Sequence, residues 1–261
     1  MASLKNKIVL ITGASSGIGM ACAEAFARKG SKLILCARRL ERLTELRTRL
    51  VKKFKVEILA FQLDVRNRAA VKKAVENLPN KWKQVDILIN NAGLARGLSK
   101  LHEADTKHWE EMIDTNLKGL LNVTRYVLPL MVAKSSGHIV NIGSTAGHEV
   151  YPMGNVYCAT KFAVKSLTQS IRLDVLDKDI KVTSVDPGMV LTEFSKVRFS
   201  GDESRAKKVY DGIKPLSPNN VADAILFCTT RPKNVNINEI ILTPIHQASS
   251  TQIYRQNIKT K

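Results

Sequence analysis

An apolar run at Ile8–Ile11 passes straight into Thr12-Gly13-Ala14-Ser15-Ser16-Gly17-Ile18-Gly19, and the helical pattern Met20–Lys29 follows, stopping at Gly30. No other stretch restricts the possible folds so much. Glycines between a strand and a helix let the chain turn tightly, so that backbone N–H groups face a pyrophosphate at the helix N-terminus. Glycine-rich turns occur in loops of every kind, and the pattern gains its meaning from the strand–turn–helix setting. In that setting it predicts a dinucleotide-binding βαβ unit, with Gly13, Ser15, Ser16, Gly17, Ile18 and Gly19 around the phosphates.

The rest of the chain alternates in the same way. Short apolar runs at Ile8–Ile11, Lys32–Ala37, Val56–Leu63, Asp86–Ile89, His138–Gly143, Lys181–Val185 and Glu239–Leu242 read as strands. Between them lie helical patterns at about Gly17–Lys29, Leu40–Lys53, Ala69–Leu78, Thr106–Lys134, Val156–Leu176 and Asn219–Thr230. Alternation of this kind calls for a parallel sheet with crossover helices. It predicts an α/β fold: a single doubly wound Rossmann domain over residues 1–261, with a seven-stranded parallel sheet and helices on both faces. No repeat, low-complexity tract or Pro/Gly-rich linker divides it.

An apolar share of 44% supplies ample core, and a charged share of 25% is ordinary for a soluble protein. No run approaches the roughly 20 apolar residues that cross a bilayer. The opening Met1–Lys7 leads into a strand with no room for a targeting signal. Cys22, Cys36, Cys158 and Cys228 lack metal or disulfide spacing and suit a reducing compartment, so the expected location is cytoplasmic. A net charge of +18 raises nucleic acid, an anionic membrane surface and anionic small molecules as partners. The cations are spread along the whole chain, aromatics are only 5%, and no nucleic-acid module signature is present, so neither nucleic acid nor membrane is expected. His102, His108, His138, His148 and His246 show no metal-ligand spacing, and no metal is expected.

Ligands of open α/β sheets sit at the carboxyl ends of the strands. An acid at the end of the second strand would bond the ribose 2′-hydroxyl of NAD; Arg38 and Arg39 stand there instead. Two guanidinium groups can pair a 2′-phosphate bidentately, which predicts NADP, whereas an exposed helix start would explain one arginine better than both. Asp64 and Val65 end the third strand. There Asp64 could accept from the adenine amino group, or cap the helix that starts near Asn67. Asn90-Asn91-Ala92-Gly93 suits a wall against the adenosine, although a tight turn needs the same residue types.

Tyr157 and Lys161 fall on one face of a helix, one turn apart. A phenol titrates near pH ~10, too high for acid–base work at neutrality. A neighbouring ammonium favours the phenolate and is expected to draw that pKa down. The same spacing is common on solvated helix faces, so the other motifs decide its meaning.

Taken in order, Thr12-Gly13-x-x-x-Gly17-x-Gly19, Asn90-Asn91-Ala92-Gly93, Asn116, Ser144, Tyr157-x-x-x-Lys161 and Pro187-Gly188 resemble the short-chain dehydrogenase/reductase superfamily, over roughly Lys7 to Pro244. Within it, Leu63–Ala70, Met112–Asn116, Asn141–Gly147, Thr192–Phe199 and Val235–Asn238 resemble the NADP-dependent 3-hydroxy acid dehydrogenases. Those enzymes are also described as serine or allo-threonine dehydrogenases and as malonic semialdehyde reductases. The resemblance implies an NADP-dependent oxidoreductase acting on a short 3-hydroxy acid or β-hydroxy amino acid, of the L-serine, L-allo-threonine or 3-hydroxypropionate type.

The resemblance also implies roles. Tyr157 is the general acid–base; Lys161 lowers its pKa and holds the nicotinamide ribose; Ser144 bonds the substrate oxygen. Asn116 holds a water that links Lys161 to solvent, and a buried amide at a helix kink is a compatible reading of it. Pro187, Gly188, Val190 and Thr192 are implied nicotinamide contacts. Relatives usually form tetramers through the helices Thr106–Lys134 and Val156–Leu176, so a homotetramer is expected. The segment 189–204 is expected to be a mobile loop closing over substrate, irregular from Glu193 onward. Its Arg198 either contacts the substrate carboxylate or is a solvated surface residue. The tail Ile245–Lys261 shows no pattern and is expected to lie over a neighbouring subunit. Cys158, about 100° round the helix from Tyr157, reads as packing. A broad carbonyl or 3-ketoacyl reductase, or a non-catalytic nucleotide-binding protein, are the competing functions.

Overall fold

The computed structural model describes residues 2–256. Ile8–Thr12 (β1), Lys32–Ala37 (β2), Ile58–Gln62 (β3), Ile87–Asn90 (β4), Gly137–Ile142 (β5), Ile180–Pro187 (β6) and Glu239–Leu242 (β7) form one 7-stranded sheet in the order β3-β2-β1-β4-β5-β6-β7. Every neighbouring pair is parallel. The helices are Gly17–Arg28 (α1), Leu40–Phe54 (α2), Arg68–Glu76 (α3), Thr106–Met112 (α4), Gly119–Val132 (α5), Asn155–Asp174 (α6), Phe194–Arg198 (α7), Glu203–Lys208 (α8) and Pro218–Thr229 (α9).

Alternate residues of a strand face opposite sides of the sheet, and here both sides are apolar. Val9 and Ile11 of β1 join a core with Phe26 of α1, Leu43 of α2 and Ile225 of α9. Ile8 and Leu10 join a second core with Val71 of α3, Val127 of α5 and Ile171 of α6. This explains why the strands read as unbroken apolar runs. The strand order reverses at β1: the chain moves outward through β2 and β3, then returns to place β4 on the other side of β1. A crevice opens at the carboxyl ends of the strands at such a reversal, and ligands bind there.

Three segments differ from their sequence reading. Thr106–Lys134 is helical as far as Val132 but not regular, because a π turn at Ile113–Lys118 lies between α4 and α5. Asn116 lies on that turn, with its amide satisfied away from the helix ladder. Segment 193–204 is not irregular: it forms α7 and the start of α8, helices too short to leave a periodic signature. It is also tied down, with the Arg198 carbonyl accepting from Gly97 N–H at 2.8 Å and the Val197 carbonyl from Arg96 Nη1 at 2.8 Å. The described part of the tail, Ile245–Gln256, has no helix or sheet strand but is bonded to its own chain. Gln247 is buried and its Oε1 accepts from Met189 N–H at 2.8 Å, while Gln256 N–H donates to the Gly212 carbonyl at 2.7 Å. Residues 257–261, the end of the expected arm, lie outside the described residues.

Candidate active site

The glycine turn is shaped by bonds from the end of β4. Thr12 is buried; its Oγ1 donates to the Ile89 carbonyl at 3.4 Å and accepts from the N–H groups of Asn91 and Ala92, each at 3.0 Å. Asn91 Nδ2 donates to the carbonyls of Thr12 at 2.9 Å and Gly13 at 3.2 Å. Gly13 has φ +64°, and a Cβ there would lie 2.9 Å from Asn91 Nδ2, so only glycine suits the position. A Cβ at Gly19 would lie 2.5 Å from both Asn91 Nδ2 and the Gly13 carbonyl oxygen. Gly19 therefore serves close packing beneath the turn.

These elements border a cavity of about 680 Å³, within the ~300–1,000 Å³ range of small-molecule sites. Of the residues expected around cofactor and substrate, all line it except Gly19, Asn90 and Asn116. At the end of β2, Arg38 is exposed, while Arg39 Nη2 donates to Ser16 Oγ at 2.8 Å and Ser15 Oγ at 3.3 Å. Asp64 is not a helix cap. Its carboxylate takes Arg66 Nη2 at 2.6 Å and sits below the usual carboxylate range because of that pairing. The cap of α3 is Asn67, whose Oδ1 accepts from Ala70 N–H at 3.0 Å.

The acid–base end lies where β5 leaves the sheet and α6 passes behind it. Ser144 is extended, and its Oγ accepts from Ala146 N–H at 3.1 Å. Tyr157 and Lys161 are 9% and 7% exposed. Lys161 Nζ donates to the Ile142 carbonyl at 2.9 Å and lies 5.9 Å from the Tyr157 ring centre. Burial lowers the Lys161 ammonium to about 8, with the Asp186 carboxylate opposing that fall. Burial pushes the Tyr157 phenol above its ordinary value, Tyr151 adds to the rise, and Arg198 and the Ser144 hydroxyl pull it back. The net lowering expected beside Lys161 is therefore not found: burial outweighs it, and the cation that draws the phenol down is Arg198. Asn116 Oδ1 accepts from Leu94 N–H at 2.8 Å; its Nδ2 donates to the Leu94 carbonyl at 2.8 Å and Thr160 Oγ1 at 3.1 Å. Its direct work here is to fix the cavity wall at Leu94.

Arg198 Nη2 donates to Tyr151 Oη at 2.8 Å, and its guanidinium lies 5.0 Å from the Tyr157 ring centre and 5.3 Å from that of Phe194. Its Nε is buried with no partner among the described residues. Sequence reasoning missed Tyr151, Gln247, Arg42 and Glu193, and only the shared Thr192–Phe199 run marked Glu193 at all. It also missed a cluster behind the cavity. His148, Asp186 and Glu239 bring ligand atoms within 4.8 Å of one another, a convergence invisible in linear spacing. Lys165 Nζ lies 2.8 Å from His148 Nδ1 and 3.7 Å from Glu239 Oε1, so a side-chain cation already serves these acids.

The molecule is a doubly wound dinucleotide-binding protein with Ser144, Tyr157 and Lys161 at its strand-end crevice. The family model described as short chain dehydrogenase matches residues 7–203, and the chain belongs to that family. It is 45% identical over 251 residues to the NADP-dependent 3-hydroxy acid dehydrogenase YdfG of Escherichia coli (strain K12), covering 95% of this chain and 100% of that protein. It is 42% identical over 257 residues to the NADP-dependent 3-hydroxy acid dehydrogenase of Schizosaccharomyces pombe, covering 98% and 99%. Among solved structures, the closed form of a serine dehydrogenase complexed with NADP+ superimposes with a TM-score of 0.90 at 45% identity, covering 95% of this chain and 100% of that one. No helix among the described residues is long and apolar enough to cross a membrane.

Proposed function

We infer that this protein is an NADP-dependent oxidoreductase that interconverts a short 3-hydroxy acid or β-hydroxy amino acid with its carbonyl counterpart. One observation carries the carboxylate preference: the Arg198 guanidinium beside Tyr157, with its buried Nε unpartnered among the described residues. A planar cation in that position can pair a carboxylate bidentately while the hydroxyl carbon faces Tyr157. A broad carbonyl reductase has no use for such a group. The cavity residues also fit the cofactor. The glycine turn opens α1 toward a pyrophosphate, and Arg39, Ser15 and Ser16 offer donors to a 2′-phosphate.

NADP, when bound, accepts the hydride in alcohol oxidation and NADPH donates it in reduction. Tyr157 takes the hydroxyl proton in the first direction and returns it in the second. Ser144 donates a hydrogen bond to the substrate oxygen, where charge develops. Lys161 holds the nicotinamide ribose hydroxyls and Asn116 keeps the wall at Leu94 in place. Pro187, Gly188, Val190 and Thr192 border the nicotinamide end. Exposed Leu121 on α5 and Phe162 and Leu173 on α6 favour self-association through those helices, in line with a cytoplasmic homotetramer.

The test is initial-rate kinetics with NADP and NAD in parallel on L-serine, L-allo-threonine, 3-hydroxypropionate, 3-hydroxybutyrate and a bulky alcohol without a carboxylate. The expected result is turnover with NADP on the acids, falling by about 10²–10⁴ in Tyr157→Phe while NADPH still binds. Equal turnover of the carboxylate-free alcohol, or an undiminished Tyr157→Phe enzyme, would overturn the reading.

A further inference from the structure

Glu193 brings a carboxylate to the end of the crevice where cations gather. Its Oε2 accepts from Arg39 Nη1 at 2.9 Å and its Oε1 from Arg42 Nη1 at 2.6 Å. The other terminal nitrogen of Arg39 spans Ser15 Oγ and Ser16 Oγ on the glycine turn. Arg42 has no other ion pair among the described residues. Glu193 directly follows Thr192 and precedes α7, the helix that ends at Arg198. A carboxylate from the substrate side of the cavity is thus held by guanidinium groups on the cofactor side.

The three side chains are 40–44% exposed, so water and solutes reach the pairs. Exposed ion pairs of this kind are individually weak and exchange readily. The Arg42 and Arg39 bonds hold Glu193 below the usual carboxylate range, so it is ionised at neutral pH. A 2′-phosphate read by Arg39 needs donors that Glu193 now occupies.

We propose that Glu193 is an internal anion that stands in for the cofactor's 2′-phosphate on Arg39 and Arg42, so that the phosphate must displace it in order to bind. The inference rests on the NADP reading above and adds a specificity-determining residue to it. A phosphate carries more charge than a carboxylate and a third acceptor oxygen, so it wins the exchange. A dinucleotide without the phosphate leaves the clasp closed. Glu193 therefore weakens NADP binding by the strength of the clasp and leaves NAD binding untouched. Displacement also releases the link between the start of α2 and the segment leading to Arg198, joining phosphate recognition to the substrate side.

The test is calorimetric titration of the full chain with 2′,5′-ADP and 5′-ADP, in wild type and Glu193→Gln. The variant should bind 2′,5′-ADP about 5-fold more tightly, the gain expected from removing weak exposed pairs, with 5′-ADP unchanged. The gain should vanish in an Arg39→Met background, which a general change in α7 would not produce. Glu193→Ala, with fold checked by thermal melting, should move the same way. Unchanged or weaker 2′,5′-ADP binding in both variants overturns the proposal, as does equal tightening of both ligands. Wild type that prefers 2′,5′-ADP while both variants gain nothing refutes the clasp alone. Wild type that binds the two ligands equally refutes the NADP reading, and the clasp with it.

Discussion

Replacing Arg198 with Met keeps an unbranched apolar stem and deletes the charge beside the Tyr157 phenol, the acid–base group of the proposed function. At 5.0 Å from the Tyr157 ring centre, a unit charge contributes about 3 kcal/mol to the phenolate at an effective dielectric constant of about 20. At about 1.36 kcal/mol per pH unit, that is roughly two units of phenol pKa. The site is open to solvent at the cavity mouth, which trims the effect to about one to two units. The sign follows from the charges. A cation favours the phenolate, so its loss raises the pKa, and oxidation, which needs the deprotonated tyrosine, reaches full rate only at higher pH. Reduction, which needs the protonated phenol, is spared near neutrality. Losing the charge-assisted contact should also raise KM for 3-hydroxypropionate by about 10-fold or more, from the ~1.5–3 kcal/mol of a charged hydrogen bond. The assay is initial rates of oxidation at saturating NADP from about pH 6 to about pH 11, where the variant's rising limb should lie to the alkaline side of the wild type's. Arg198→Lys should restore the pH profile but not the KM, since an ammonium keeps the charge without the planar fork. A Met variant whose pH profile and KM both overlay the wild type would refute the assignment.

Two further outcomes follow from buried groups. Asn116→Ala strips the side-chain partners from the Leu94 N–H and carbonyl; it should cost about 1–3 kcal/mol per group left unpaired, seen as a lower urea midpoint, and an unchanged midpoint would sink the idea. His138, buried against Thr183 Oγ1 at 2.8 Å, is lowered by burial from 6.5 to about 3. The unfolded chain therefore gains a proton that the folded chain refuses across that window, and stability falls with falling pH by about 1.4 kcal/mol per unit. His138→Leu should flatten this slope in urea unfolding at several pH values; an identical slope would show that other groups set it.

The sheet was legible because buried parallel strands must be apolar on both faces, and the residues lining the cavity were legible because this topology puts ligands at strand ends. Asn116 was legible as a polar residue out of place in a helix, yet the π turn that accommodates it was not. Apolar periodicity continues through α4 and α5 and conceals an inserted residue between them. Glu193 was illegible for another reason. Its partner Arg39 is 154 residues away, and the two meet between a loop end and a helix start. Tyr151 and Gln247 likewise reach the cavity from segments without periodic pattern. Pairings of that kind depend on where the finished sheet sets its loops, and local sequence does not encode that.

The pair Tyr157 and Lys161 shows why spacing alone gave the residues and not the electrostatics. One helical turn brings them together, but burial raises the phenol and lowers the ammonium, each toward its neutral form. What offsets this is the balance of charge around the cavity. Of the acids lining it, Asp64 is paired by Arg66, and Glu193 by Arg39 and Arg42. Lys161 and Arg198 therefore face the acid–base end with no carboxylate of the cavity wall set against them. A site with unmatched cations at its acid–base end, and cations held only by an exchangeable carboxylate at the other, favours ligands that are anionic at both ends. In the function proposed above these are a 2′-phosphate at Arg39 and a carboxylate at Arg198. Part of the net charge of +18, most of which reads as solvated surface with a minority set to draw phosphate and carboxylate ligands, has a local use in that reading. In the proposed function it lets a buried tyrosine, held protonated by its burial, lose its proton when the substrate arrives.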